Sequence, residues 1–196
     1  MFNNIIISNQ KMSQEIIQEI ITLYQTFGNH DYIGEKITQM EHAMQCLQLA
    51  EEETDDLEVI LAAFFHDIGH LIEISNQDKQ MGTWGVVDHE EVGKKYLLSK
   101  GFSEKVSDLV ANHVKAKRYL VTVYPEYYQK LSEASKETLK YQNGFMTPEE
   151  VENFKKDPLF DLSLKIRGFD DQGKEVNAKI KPLSYLEELL KKYFIY

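Results

Sequence analysis

Chemistry in this chain centres on the string His66-Asp67-Ile68-Gly69-His70. An adjacent His-Asp pair, placed after the apolar run Ile60–Phe65, predicts a nitrogen ligand and a carboxylate side by side on one helix. The imidazole can hold one metal ion, and the two oxygens of the carboxylate can bridge to a second. A His-Asp dipeptide is weak evidence alone, but here His42 lies upstream, His89 and His113 lie downstream, and the pair Asp170-Asp171 follows late in the chain. Imidazole and carboxylate donors without thiolates suit iron, manganese or zinc better than copper(I) or iron–sulfur clusters. His70 lies four residues after His66, so a continuous helix would bring it to the same face, toward a substrate. Lys117 follows His113 by one turn, which suits a cation beside a metal-bound anion.

A sixth ligand is expected from a late carboxylate in Arg167-Gly168-Phe169-Asp170-Asp171. Arg167 reaches Asp170 at i,i+3 and Asp171 at i,i+4, so spacing does not choose between them. Asp161, six residues before Arg167, is the weaker candidate. Cys46, the single cysteine, excludes an intramolecular disulfide and reads as a small core residue on a helix.

Helices must position these groups. Ser13 is expected to cap a helix over 13–27, leaving residues 1–11 as a flexible arm. Gly28 to Ile37 reads as a loop and Thr38 to Glu53 as a helix. A third helix starts at Asp55 or Asp56 and ends near 66–71, followed by a loop over 72–87. Asp88 caps the next helix, which runs to about Lys100. Gly101-Phe102-Ser103 then leads into Glu104–Ala116. Pro125 breaks the aromatic stretch Tyr119–Tyr128, and Ser132, Thr147-Pro148 and Pro158 mark further helix starts. The last helices are about Pro158–Gln172 and Leu183–Phe194. No alternating strand pattern persists, so the class is all-α.

With 196 residues and 42% apolar content, the chain reads as a single domain over 1–196. Its net charge of -10 disfavours nucleic acid as a partner. No apolar run approaches the roughly 20 residues that span a bilayer. Ile5-Ile6-Ile7 lacks the features of a signal peptide, so a cytoplasmic location is expected. A homodimer stays open.

At these residues the chain resembles the HD-domain superfamily, whose members are helical bundles around a metal site. Within it, the chain is most similar to PhnZ-type phosphonate oxygenases, relatives of myo-inositol oxygenase. The resemblance covers about residues 12–195. It rests on Tyr32-Ile33-Gly34-Glu35, Thr38-Gln39-Met40-Glu41-His42-Ala43, the 66–70 string, Asp88-His89-Glu90, the segment from His113 through Lys117 to Leu120, Leu131–Ser135 and the 167–171 string. One departure is Phe169, where the family often has Trp.

The resemblance implies two irons in a mixed-valent Fe(II)/Fe(III) pair, with O2 as co-substrate. His42, His66 and Asp170 would hold the first iron, Asp67 would bridge, and His89 and His113 would hold the second. Tyr32 would ligate the second iron before substrate arrives, and Glu35 would meet a substrate ammonium. His70, Lys117, Ser135 and Arg167 would form the anion pocket. The implied reaction is oxidative cleavage of the C–P bond of a small 1-hydroxyphosphonate, releasing phosphate. 2-Amino-1-hydroxyethylphosphonate, an N-methylated relative and a non-phosphonate polyol all stay open as substrates. Two competing readings are a metal-dependent phosphohydrolase of a nucleotide or phosphate ester, and a degenerate HD domain that binds or regulates.

Overall fold

A computed structural model describes residues 2–32, 34–76 and 88–195, without the side chains of 2–9 and 76. It is all-α. Eleven helices occupy the described residues, with one isolated bridge between Asp31 and Thr38. No described helix is long and apolar enough to cross a membrane.

The first helix, α1, runs Phe2–Phe27, so the expected arm and the Ser13 cap are replaced by one continuous helix. No proline or glycine interrupts residues 2–27, and a helix once nucleated propagates until something stops it. Gly28 ends it. A Cβ there would lie 2.4 Å from the Tyr24 carbonyl oxygen. α2 (Gln39–Glu53) starts with a full capping box. The Thr38 hydroxyl accepts from the Glu41 N–H, and the Glu41 carboxylate accepts from the Thr38 N–H. Asp56 caps α3 (Leu57–Phe65) by accepting from the Glu58 N–H.

The predicted single helix through the His-Asp pair is in fact two. α3 stops at Phe65 and α4 (Ile68–Asn76) starts afresh, leaving His66 and Asp67 in the turn. Neighbours on a continuous helix diverge by about 100°. Across this turn the two side chains converge, with His66 Nε2 3.4 Å from Asp67 Oδ2. The expected 72–87 loop is helical through Asn76, and the rest of that expectation, Trp84 included, falls outside the described residues.

α5 (His89–Ser99) begins after Asp88, which sits in the left-handed region at φ 60° and makes no side-chain cap. α6 (Glu104–Val123), capped by Ser103, passes the expected end at Ala116 because nothing breaks it before Pro125. Pro125 opens the short α7 (Pro125–Lys130). Ser132 caps α8 (Glu133–Tyr141), and Thr147 caps α9 (Pro148–Phe154) with a second capping box. α10 (Phe160–Gln172) starts two residues later than Pro158, and α11 (Leu183–Phe194) matches the expectation.

The main core gathers Ile17, Ile20, Tyr24, Met44, Leu47, Leu61, Phe64, Phe65, Leu97, Leu109, Ile166 and Leu190. α3 is nearly all apolar and runs through its centre, with residues 59–65 buried. α2, α6 and α10 pack on α3, and α5 packs on α4 and α6. One end of α3 thus delivers the 66–67 turn into a space walled by α2, α5, α6 and α10.

Candidate metal centre and pocket

Two clusters of donors meet at Asp67. His42 Nε2 and His66 Nε2 lie 3.1 Å apart, with Asp67 Oδ2 at 3.7 and 3.4 Å from them. Asp170 Oδ1 completes this group, 3.6 Å from His42 and 4.0 Å from His66. On the other side, His89 Nε2 and His113 Nε2 lie 3.1 Å apart. Asp67 Oδ1 is 3.3 and 3.4 Å from them. The two carboxylate oxygens of Asp67 thus serve one cluster each.

Backbone anchors aim the rings. His42 Nδ1 meets the Gly173 carbonyl at 2.8 Å, His66 Nδ1 the Ala63 carbonyl at 2.8 Å, and His113 Nδ1 the Val110 carbonyl at 2.6 Å. A carbonyl only accepts, so each of these Nδ1 atoms carries a proton and the ring turns its Nε2 inward. His89 Nδ1 faces Glu90 Oε2 at 3.4 Å. Within each pair the two Nε2 atoms face each other at 3.1 Å, a separation that requires a proton or a metal ion between them. Metal–donor bonds of about 2.1 Å set adjacent octahedral donors about 3.0 Å apart. The donor set therefore fits two metal ions.

Electrostatics point the same way. Burial lowers His42 to about 4, with the His66 charge adding to it. Burial opposes charge on His66 as well, but Asp67 outweighs it and raises that ring to about 9. The pair accommodates one positive charge, not two. Burial favours a neutral Asp67, yet His66 and His89 hold its carboxyl well below the usual range. Arg167 and Lys174 do the same for Asp170 against its burial.

The structure separates the late carboxylates. Asp170 is buried and faces the cluster, while Arg167 donates from Nη1 to Asp170 Oδ2 at 2.5 Å. Asp171 binds Arg167 Nη2 and the Tyr127 hydroxyl instead, and Asp161 is exposed. Cys46 is fully buried and donates to the Phe169 carbonyl at 3.4 Å. Its sulfur lies 3.9 and 3.8 Å from the two nitrogens of the His42 ring, beside the ring and off its lone-pair axis. Burial raises its pKa, so it stays a thiol.

A pocket opens onto the cluster. Tyr32, Glu35, His70, Lys117, Ser135 and Arg167, all expected from sequence, line it together. Tyr32 stacks on the His42 ring at 3.9 Å between centroids, and its hydroxyl lies 3.4 Å from Asp170 Oδ1. Burial, then Asp170 and Asp67, raise its pKa. His70 stacks on His89 at 4.0 Å and burial, with His89 beside it, lowers it to about 3. Lys117 Nζ donates to Thr138 Oγ1 at 2.7 Å and Gln142 Oε1 at 2.8 Å. Burial and then Arg167 lower it to about 7. Arg167 also donates from Nε to the Tyr127 hydroxyl at 2.8 Å.

Sequence reasoning missed Lys174, Thr138, Gln142 and Gln39, which complete the wall. Lys174 carried a readable signal, since it lies four residues after Asp170. Thr138 and Gln142 carried none until α8 was placed against Lys117.

Residues 40–142 match the HD domain family, and the chain belongs to it. Within that family it is related to proteins named as phosphonate dioxygenases. It is 36% identical over 169 residues to [1-hydroxy-2-(trimethylamino)ethyl]phosphonate dioxygenase (glycine-betaine-forming) of Leisingera caerulea, covering 84% of this chain and 83% of that one. It is 33% identical over 178 residues to hydroxymethylphosphonate dioxygenase of Gimesia maris, covering 91% and 88%. It is also 50% identical over 192 residues to "Uncharacterized protein L432" of Acanthamoeba polyphaga mimivirus, covering 97% and 88%.

Proposed function

We propose that this protein is a diiron oxygenase that cleaves the C–P bond of a small 1-hydroxyphosphonate. The substrate is 2-amino-1-hydroxyethylphosphonate or an N-methylated relative. The observation that carries the reading is the pair of donor clusters sharing the Asp67 carboxylate beneath a cation-lined pocket. The named activities of the two dioxygenase relatives support it.

A 1-hydroxyphosphonate and one O2 give a carboxylate, phosphate and one proton. The C–P and carbinol C–H bonds break, the carbon is oxidised, and both oxygen atoms enter the products. His42, His66 and Asp170 would hold one iron, His89 and His113 the other, with Asp67 between them. When bound, the irons supply Lewis-acid charge for the chelating oxygens and the redox capacity for O2.

The chain's own groups bind and orient. Lys117, from one side, and Ser135, from the α8 N-terminal turn, meet the phosphonate oxygens. His70, kept neutral, offers a ring N–H without adding charge beside His89. Arg167 fixes Asp170 through Nη1 and contributes positive potential to the same oxygens. Tyr32, stacked on His42, shields the cluster from water and yields when Glu35 takes the substrate's ammonium. The loop carrying both has Gly34 at φ 79°, a conformation only glycine adopts freely.

The test is aerobic turnover of anaerobically iron-loaded protein with 2-amino-1-hydroxyethylphosphonate. Expected is one phosphate released per O2 consumed. Phosphate release from a phosphate ester without O2 uptake would replace the oxygenase with a hydrolase.

A further inference from the structure

Among the described residues, Lys174 is the one pocket cation that neither the sequence motifs nor the reaction above employs. It follows the Gly173 cap of α10 and turns back over the cluster. Its Nζ lies 3.7 Å from Glu35 Oε1, 3.8 Å from Asp170 Oδ1 and 5.7 Å above the centre of the Tyr32 ring. One ammonium thus lies beside all three groups on the wall of the pocket. Glu35 Oε1 is buried and makes no hydrogen bond. Lys174 neutralises it from just beyond hydrogen-bonding range, leaving an acceptor that a closer donor would take.

We propose that Lys174 is a specificity-determining residue that competes with the cationic end of the substrate for Glu35. The inference rests on the phosphonate-oxygenase reading and concerns the far end of that substrate. With Lys174 in place, Glu35 already has a counter-ion. A ligand bearing an ammonium gains only the difference between its own pairing and the one it displaces. A ligand with a neutral far end displaces nothing and leaves Lys174 where it is. Lys174 therefore narrows the preference between ammonium-bearing and neutral phosphonates, and its removal widens that preference toward the cation. Its place over the Tyr32 ring ties the exchange to Tyr32, because a departing Lys174 also releases its cation–π contact with that ring.

Two non-reacting probes test this without turnover. 2-Aminoethylphosphonate and ethylphosphonate differ in the ammonium, and both lack the 1-hydroxyl. Their affinities for iron-loaded protein are measured by calorimetry under argon. In Lys174→Met, the preference for 2-aminoethylphosphonate over ethylphosphonate should rise about tenfold, the scale of one exposed-to-buried charge contact. In Glu35→Gln it should fall. Lys174→Arg should keep the wild-type ratio, and metal content should be the same in all four proteins. An unchanged ratio in Lys174→Met overturns the proposal. So does equal weakening of both probes, which would make Lys174 a phosphonate ligand. If wild-type protein binds neither probe, the phosphonate reading itself fails, and this inference with it.

Discussion

The ring nitrogens of each pair face each other at 3.1 Å beside a shared carboxylate, and that fixes what single substitutions should do. Asp170→Ala removes the one late carboxylate that, among the described residues, lies within 4.0 Å of His42 and His66. Elemental analysis should show loss of about one of two irons, whereas Asp171→Ala should retain both. The reverse pattern would exchange their roles. Lys117 makes a second prediction. Burial lowers its pKa to about 7, so above that pH the neutral amine dominates. A phosphonate dianion beside it raises the pKa again, so binding near pH 8 should take up a proton. Calorimetry in buffers of different ionisation enthalpy reads that uptake directly. Lys117→Ala should abolish it and weaken phosphonate binding by roughly 1.5–3 kcal/mol. Much of this was legible from sequence, because His42, His66, Asp67, His89 and His113 announce themselves by type. The choice between Asp170 and Asp171 was not, because Arg167 reaches both and does bind both. Only packing against α2 shows which one faces inward.

Between elements, close approach sets the site. A Cβ on Gly69 would lie 1.9 Å from the His89 carbonyl oxygen, and a Cβ on Gly173 would lie 2.6 Å from Cys46 Sγ. α4 therefore rests directly on the first turn of α5, and the end of α10 rests on α2. Gly69→Ala must push α5 away and carry His89 with it. We expect a destabilisation of about 1–3 kcal/mol together with a lost second iron, measured by urea unfolding and metal analysis. Full metal content in that variant would show that α5 can shift without moving His89. The motif string displayed Gly69 but not its purpose, since a glycine in a helical stretch says nothing of the neighbour above it. Helix starts at Thr38, Ser103, Ser132 and Thr147 were readable because capping is local chemistry. The break at His66-Asp67 was not, because apolar periodicity continues across it. The length of α1 escaped notice because it rests on the absence of a breaker.

At the scale of the molecule, the centre joins α2, the 66–67 turn, α5, α6 and α10 around one carboxylate. Metal that binds only the folded state adds to its stability, by about 2.7 kcal/mol per ion at a hundredfold excess over Kd. For a chain of this size each kcal/mol moves the midpoint roughly 2–4 °C. Chelation should therefore lower the melting temperature by roughly 5–10 °C per ion, read by scanning calorimetry with and without added iron. An unchanged midpoint would argue that the clusters hold no metal. Net charge of -10 tells little here, because Lys117, Arg167 and Lys174 give the pocket itself a local positive lining.

The division of Asp67 between two clusters also orders events in time. His89, His113 and Asp67 Oδ1 all lie between residues 67 and 113, whereas the other cluster waits for residue 170. If α4 to α6 fold as they leave the ribosome, one group of donors assembles well before the other can exist. An ion held there would occupy one Asp67 oxygen and leave the other for the cluster that α10 completes. Metal supply during synthesis, and not only afterwards, would then govern how much of the protein matures with both ions.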